Sequence, residues 1–176
     1  MPSTYGHAVG AMTIEDSWTI DRDSGAGPFR VDDSPGFLIN RAARLFAQAL
    51  GQRLEPLGLT TGAFPVLLAL WARDGRSQRE IARDLPLDET TLVRTLDRMA
   101  RDGLVVRERD PADRRRMIVH LTDHGRALRE PALAAADAVN ARAEAVLPPE
   151  DRQKARDLVR ALAAGLARSV DEGDAG

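Results

Sequence analysis

The chain has 176 residues, 43% hydrophobic and 30% charged, but only 4% aromatic and with no cysteine. This length predicts one compact domain, or a small domain with appendages, and the missing cysteine excludes disulfides, thiolate zinc sites, iron–sulfur clusters and cysteine nucleophiles. With 25 Lys+Arg against 27 Asp+Glu, the net charge of -2 excludes a uniformly basic nucleic-acid coat while leaving room for a local basic patch. Lys154 is the only lysine, so nearly all the cations are arginines, planar bidentate donors suited to phosphate and guanine. The first twenty residues show no basic segment followed by an unbroken apolar one, and the longest apolar stretch, 63–72, is too short to span a bilayer. A cytoplasmic location with no membrane partner is expected.

Residues 1–33 carry six acids (Glu15, Asp16, Asp21, Asp23, Asp32, Asp33) against two arginines, with Gly, Ser and Pro throughout and no helical period. They read as a flexible extension, the cluster Ile14, Trp18 and Ile20 excepted. Ser34-Pro35 is a helix start signal, and 36–54 is amphipathic, with Leu38, Ala42, Leu45 and Ala49 beside Phe46, Leu50 and Leu54. A second helix over 61–73, capped by Thr60 or Thr61, is apolar nearly all round, and Pro65 is expected to kink it slightly. Ser77-Gln78-Arg79-Glu80 is a capping box opening a third helix, 78–84. After the turn 85–88, Asp88 caps a fourth helix over 89–102 that stops at Gly103. Two short helices joined by a tight, apolar-anchored turn form a helix-turn-helix.

Residues 104–109 and 117–121 read as strands, with Met117, Val119 and Leu121 alternating onto one face. The turn 110–116 between them ends in Arg114, Arg115 and Arg116, which makes a β-hairpin with a charged tip, a wing. Thr122 caps a long helix to about Val146, expected to kink at Pro131, and Pro148-Pro149 ends it. A last helix, about 150–170, has Leu158, Val159, Leu162, Leu166 and Val170 on one stripe. The fold class is therefore mainly α: a winged helix-turn-helix (58–122) with a two-stranded wing. Around it lie N- and C-terminal helices (34–57 and 123–172) whose surplus apolar stripes predict a homodimerisation domain.

At 100° per residue the fourth helix turns Leu92, Leu96 and Met99 one way and Thr90, Arg94, Asp97 and Arg101 the other, with Thr91 and Arg98 on one flank and Glu89 and Val93 on the other. Small hydrogen-bonding residues near the N-terminus with long cations behind them suit a helix entering the major groove. Arg94 is the candidate for a base contact, guanine in particular, with Thr90 and Thr91 on phosphates or thymine methyls. Arg98 and, at the start of the third helix, Ser77, Gln78 and Arg79 complete the candidate contacts there. The segment 73–116 holds twelve arginines against ten acids, a modest excess. Position matters more: an arginine projecting from the wing tip suits a narrow minor groove, while Asp110 and Asp113 are placed to stiffen the wing.

The run RSQREIARDLPLDETTLVRTLDRMARDGLVVRERDPADRRRMIVHLTDHGRAL resembles the MarR (multiple-antibiotic-resistance regulator) family of winged-helix transcription factors. Its most specific parts are the wing, DPADRRRMIVHLTDHG, and the LD-x-x-T-x-x-R-x-x-D-R-M recognition-helix pattern; the likeness covers about residues 36–170. It implies an obligate homodimer on a pseudo-palindromic double-stranded DNA operator, recognition helices in successive major grooves, and Arg115 in the minor groove. It also implies repression relieved by a small, often aromatic or phenolic effector bound between the DNA-binding and dimerisation parts. Two positions depart from the family habit. Glu89 stands where a basic residue is common, and would repel phosphate or accept from cytosine; Val93 stands where a small polar one is common, and would favour a thymine methyl. Without cysteine, a thiol peroxide sensor is excluded. The alternative reading is a winged-helix module that binds protein instead of DNA.

No catalytic constellation is present, so the chain is not read as an enzyme: there is no G-x-S-x-G, phosphate-binding glycine loop or H-E-x-x-H. His7, His120 and His124 lack facing i, i+4 geometry, and neither a metal nor another cofactor is expected. Trp71 and Phe46 are placed either in the core or along an aromatic ligand's pocket.

Overall fold

The computed structural model describes residues 18–22, 27–85 and 87–173, so His7, Ile14, Glu15, Asp16 and Asp23 lie outside the described residues. The chain divides between Gln48 and Ala49 into two compact units.

In the first unit, part of what reads as a flexible extension is a β-hairpin. Strand β1 (Thr19–Ile20) pairs antiparallel with β2 (Phe29–Arg30), Thr19 opposite Arg30 and Ile20 opposite Phe29. The Val31 amide donates to the Trp18 carbonyl at 2.8 Å, and the Val31 side chain is buried. Trp18 meets Phe37 edge-on with ring centroids 5.6 Å apart, and the Arg22 guanidinium lies 5.2 Å from the Phe29 ring centre. Such contacts offset the chain entropy of a short hairpin, and they are invisible to a search for helical period because the aromatics are far apart in sequence. Helix α1 (Pro35–Leu54) follows, with proline first, where no amide hydrogen is needed.

The second unit begins within α1. Its end tightens into a 3-10 turn, Glu55–Leu57, closed by Gly58 in a left-handed conformation (φ 68°). Helix α2 (Phe64–Ala72) starts three residues later than the periodicity predicts, because the Thr60 hydroxyl and carbonyl accept from the Ala63 and Phe64 amides and hold 61–63 as turns. Pro65 thus falls in the first turn, where its ring costs nothing, and the expected kink has no cause.

Strand β3 (Arg76–Ser77) leads directly into α3 (Gln78–Asp84), then α4 (Glu89–Arg101), β4 (Val105–Arg109) and β5 (Met117–Leu121). The sheet has three strands, not the two read from the sequence, in the order β3-β5-β4 with both pairings antiparallel. Two residues carry too little alternation to be recognised as a strand. Arg76 and Ser77 become one because the Asp74-Gly75 turn, with Gly75 at φ 68°, lays them opposite Val119 and Ile118. Helix α4 ends in a Schellman motif: the Leu104 amide bonds to the Met99 carbonyl (2.9 Å) and the Gly103 amide to that of Ala100 (3.2 Å), Gly103 taking the left-handed position.

The long helix expected after Thr122 is two helices, α5 (Asp123–Ala127) and α6 (Arg129–Glu144), meeting at Leu128. Pro131 cannot donate to the Ala127 carbonyl and its ring crowds it, so the break comes one turn ahead of the proline. Helix α7 (Asp151–Gly173) closes the chain. The core gathers Leu54, Val66, Leu67, Leu70, Ile81, Leu92, Leu96, Met99, Val105 and Val119, all fully buried, so α2, α3, α4 and the sheet share one apolar interior. No helix among the described residues is long and apolar enough to cross a membrane.

Candidate nucleic-acid interface

Helix α4 is held by its inner face and its first turn. Leu92, Leu96 and Met99 are sunk in the core, and the Asp88 carboxylate accepts from the Thr91 amide (2.8 Å) and hydroxyl (2.6 Å). Those two bonds, hydroxyl first, pull the Asp88 pKa below its usual value. Thr91 therefore spends its hydroxyl hydrogen on the cap and keeps only acceptor capacity for a ligand. Thr90, Val93, Arg94 and Arg98 are exposed. Among the described residues no carboxylate pairs with Arg94 or Arg98.

Asp97 behaves differently from its helical-wheel position. Although it shares the outward side with Thr90 and Arg94, its carboxylate takes the Arg107 guanidinium of β4 at 2.6 Å. The pair cancels a negative charge that would oppose phosphate and ties the helix to the sheet. On the other flank, a cleft of about 210 Å³ separates α4 from the start of α2, with Thr91, Arg94, Thr95 and Arg98 on one wall and Gly58, Thr60 and Gly62 on the other.

At the wing, Asp110 accepts from the Ala112 amide (2.9 Å) and Asp113 from the Arg115 amide (3.0 Å), two local turns that fix the tip. Backbone bonds from Asp110 to Arg116 (3.0 Å) and Arg116 to Asp113 (2.8 Å) close it. Arg109 donates to the Arg114 carbonyl at 2.9 Å. The three tip arginines then part company. Arg114 and Arg115 are exposed with no carboxylate partner among the described residues. Arg116 instead reaches Glu80 at 3.5 Å and Asp110 at 3.7 Å, and so links the wing to the start of α3.

Glu80 is the centre of that link. It accepts from the Ser77 hydroxyl (2.6 Å) and amide (2.9 Å) and from Arg73 (3.0 Å). The bonds from the Ser77 side chain and backbone come first, with Arg73 and Arg116 adding to them, and together they hold the Glu80 carboxyl down at about 2. Ser77, a candidate DNA contact by sequence, is buried with its hydroxyl committed to the capping box, so its part is to position α3. Gln78 is half-buried and Arg79 exposed.

Asp74 and Arg76 carry no sequence signal, and for Trp71 the structure decides between the core and a pocket. Asp74 accepts from the Gly75 amide (2.8 Å), the Leu121 amide (2.9 Å) and Arg126 (2.7 Å). Trp71 donates to the Gly125 carbonyl at 2.9 Å and packs edge-on against Phe64, a core placement. Arg76 is buried and bonded to the Glu80 carbonyl and the Asp84 carboxylate. Among the described residues no three histidine, aspartate or glutamate side chains are arranged to hold a metal ion.

Three short helices and a three-stranded sheet thus present α4 and a projecting hairpin, each carrying arginine that no carboxylate pairs among the described residues, and known proteins share the fold. A profile described as the MarR family matches residues 57–116. A MarR-family transcriptional regulator from Rhodococcus sp. RHA1 is 32% identical over 73% of this chain and 91% of its own, with a TM-score of 0.65. The chain belongs to the MarR family of winged-helix transcriptional regulators. Reduced AbfR, solved bound to DNA, is 30% identical over 77% of this chain and 91% of its own, with a TM-score of 0.67. The regulator TtmR of Methylorubrum extorquens is 38% identical over 69% of this chain, a match spanning 61% of TtmR's length.

Proposed function

We propose that this MarR-family chain is a repressor that binds a pseudo-palindromic double-stranded operator as a homodimer and leaves it when a small aromatic effector binds. The observation that carries the reading is the pairing pattern of the arginines. Arg94 and Arg98 on α4, with Arg114 and Arg115 on the wing, stay exposed and unpaired among the described residues, while Arg76, Arg107 and Arg116 are consumed by internal carboxylates. A charge left without a partner beside so many acids is available to phosphate and base edges. Arg94, with Thr90, Thr91 and Arg98, serves the major groove, Arg115 the minor groove, and Arg114 and Arg79 the flanking phosphates. A protein seated in the groove of a promoter blocks its use, which is the simplest route to repression.

Dimerisation is supported by exposed apolar side chains: Leu158, Val159 and Leu162 on α7, and Leu38, Leu45 and Phe46 on α1. An isologous pair buries such stripes and sets two recognition helices on two half-sites. For the effector, an open groove of about 420 Å³ lies between the end of α1 and α6, lined by Pro56, Leu57, Pro131, Ala134 and Ala135 with Arg53 and Gln52 at its polar side. Apolar walls with one cation suit an aromatic acid.

Fluorescence anisotropy with DNA from the region upstream of its own gene tests the reading at several salt concentrations. Specific binding should weaken steeply, with log affinity falling linearly in log salt. Equal affinity for promoter and scrambled DNA, unchanged in Arg94→Ala and Arg115→Ala, would remove the DNA-binding reading in favour of a protein partner.

A further inference from the structure

The face of α4 next to Arg94 is not polar throughout. Val93 is exposed (37%) on a helix whose apolar side is otherwise buried, so it contributes little to the core. Its position is costly: a β-branched residue on an open helical surface loses side-chain freedom and leaves methyl groups in water. Its neighbours narrow what it can meet. Thr90 lies three residues before it and Asp97 four after it, and Asp97 is neutralised by Arg107 at 2.6 Å. The Asp97 carboxylate is therefore drawn toward β4, which leaves Glu89, exposed four residues before Val93 on the same flank, as the remaining charge beside it. Arg94, the next residue, projects from a line 100° further round the helix, so the two side chains straddle the surface that α4 offers.

In a DNA major groove the apolar group that projects from the base edges is the C5-methyl of thymine, set among donors and acceptors. We infer that Val93 reads a thymine methyl on a base pair neighbouring the guanine addressed by Arg94, and so helps to set the operator sequence of this regulator. This rests on the DNA-binding reading above and adds a base identity to it. Burying one methyl group against the valine is worth about 0.8 kcal/mol, about a fourfold change in affinity for each thymine read.

The test begins with selection of bound sequences from random DNA by the full chain. Each thymine required in the selected site is then replaced by deoxyuridine, which removes the methyl and nothing else. Replacement of one such thymine should weaken wild-type binding about fourfold. Val93→Ala, folded as judged by circular dichroism, should weaken binding to the parent site by a similar factor and bind the deoxyuridine site no worse than the parent. Three results overturn the inference: no required thymine, wild-type indifference to deoxyuridine at every required thymine, or Val93→Ala as sensitive as wild type. If the wild-type chain enriches no sequence, the DNA-binding reading itself falls and takes this one with it.

Discussion

Glu80 does the work of several residues, and its protonation should be felt in stability. It closes the capping box with Ser77 and receives Arg73 and Arg116, which keeps its carboxyl at about 2 against an ordinary 4.5. A folded-state value below the unfolded one stabilises the protein above pH 4.5, and that contribution is lost as pH falls through about 2. The melting temperature of wild type should therefore fall over this window more than that of Glu80→Gln, which has no such carboxyl to protonate; parallel curves would contradict the assignment. In the proposed DNA contact the magnitudes differ by role. Arg94→Ala should cost about 1–3 kcal/mol in operator binding and relax the sequence preference, whereas Arg114→Ala, on phosphate, should weaken all sequences alike and lower the salt slope by about one. Anisotropy titrations against matched and mismatched sites separate the two.

Among the elements, the junction of wing and C-terminal helices is held by several long-range bonds. Thr122 donates to the Gly103 carbonyl (2.6 Å) and accepts from the Gly125 amide (2.9 Å), while Asp74 and Trp71 hold Leu121 and Gly125 from the α2 side. Gly125 is there because nothing larger fits: a Cβ would stand 2.2 Å from the Leu104 carbonyl oxygen. Gly125→Ala should cost about 1–3 kcal/mol, seen as a lower urea midpoint with an unchanged slope. Much of this organisation was legible beforehand. The capping box, the glycine stop after α4 and the alternation in β5 are local, and local chemistry leaves a local signature. Strand β3 and the hairpin before α1 were not, since each depends on a contact that no periodicity records, and the kink expected at Pro131 falls three residues earlier, as a break at Leu128.

For the whole molecule, the balance of charge and the exposed stripes bear on the proposed operator binding and dimerisation. The formal charge of -2 conceals that residues 1–36 are acidic and 73–116 slightly basic. Even the latter excess is small, and the arginines left unpaired among the described residues are what give the proposed DNA face its sign. Association should follow the apolar faces: Leu162→Glu, on the exposed side of α7, should convert a dimer into a folded monomer in sedimentation velocity and lower operator affinity with it. A dimer that persists would move the interface elsewhere.

By itself the sequence determined most of the helices, the wing, the family resemblance and the residues that could touch DNA, because caps, turns and periodicity act over a few neighbouring residues. Which of those candidates remain available was decided only by tertiary structure. Ser77 is buried in its cap, Arg116 is bound to Glu80, and Asp97 is turned toward Arg107, whereas Arg94 and Arg115 stay open. Ion pairing depends on distances between side chains far apart in the chain, and those distances exist only once the sheet has closed against the helices.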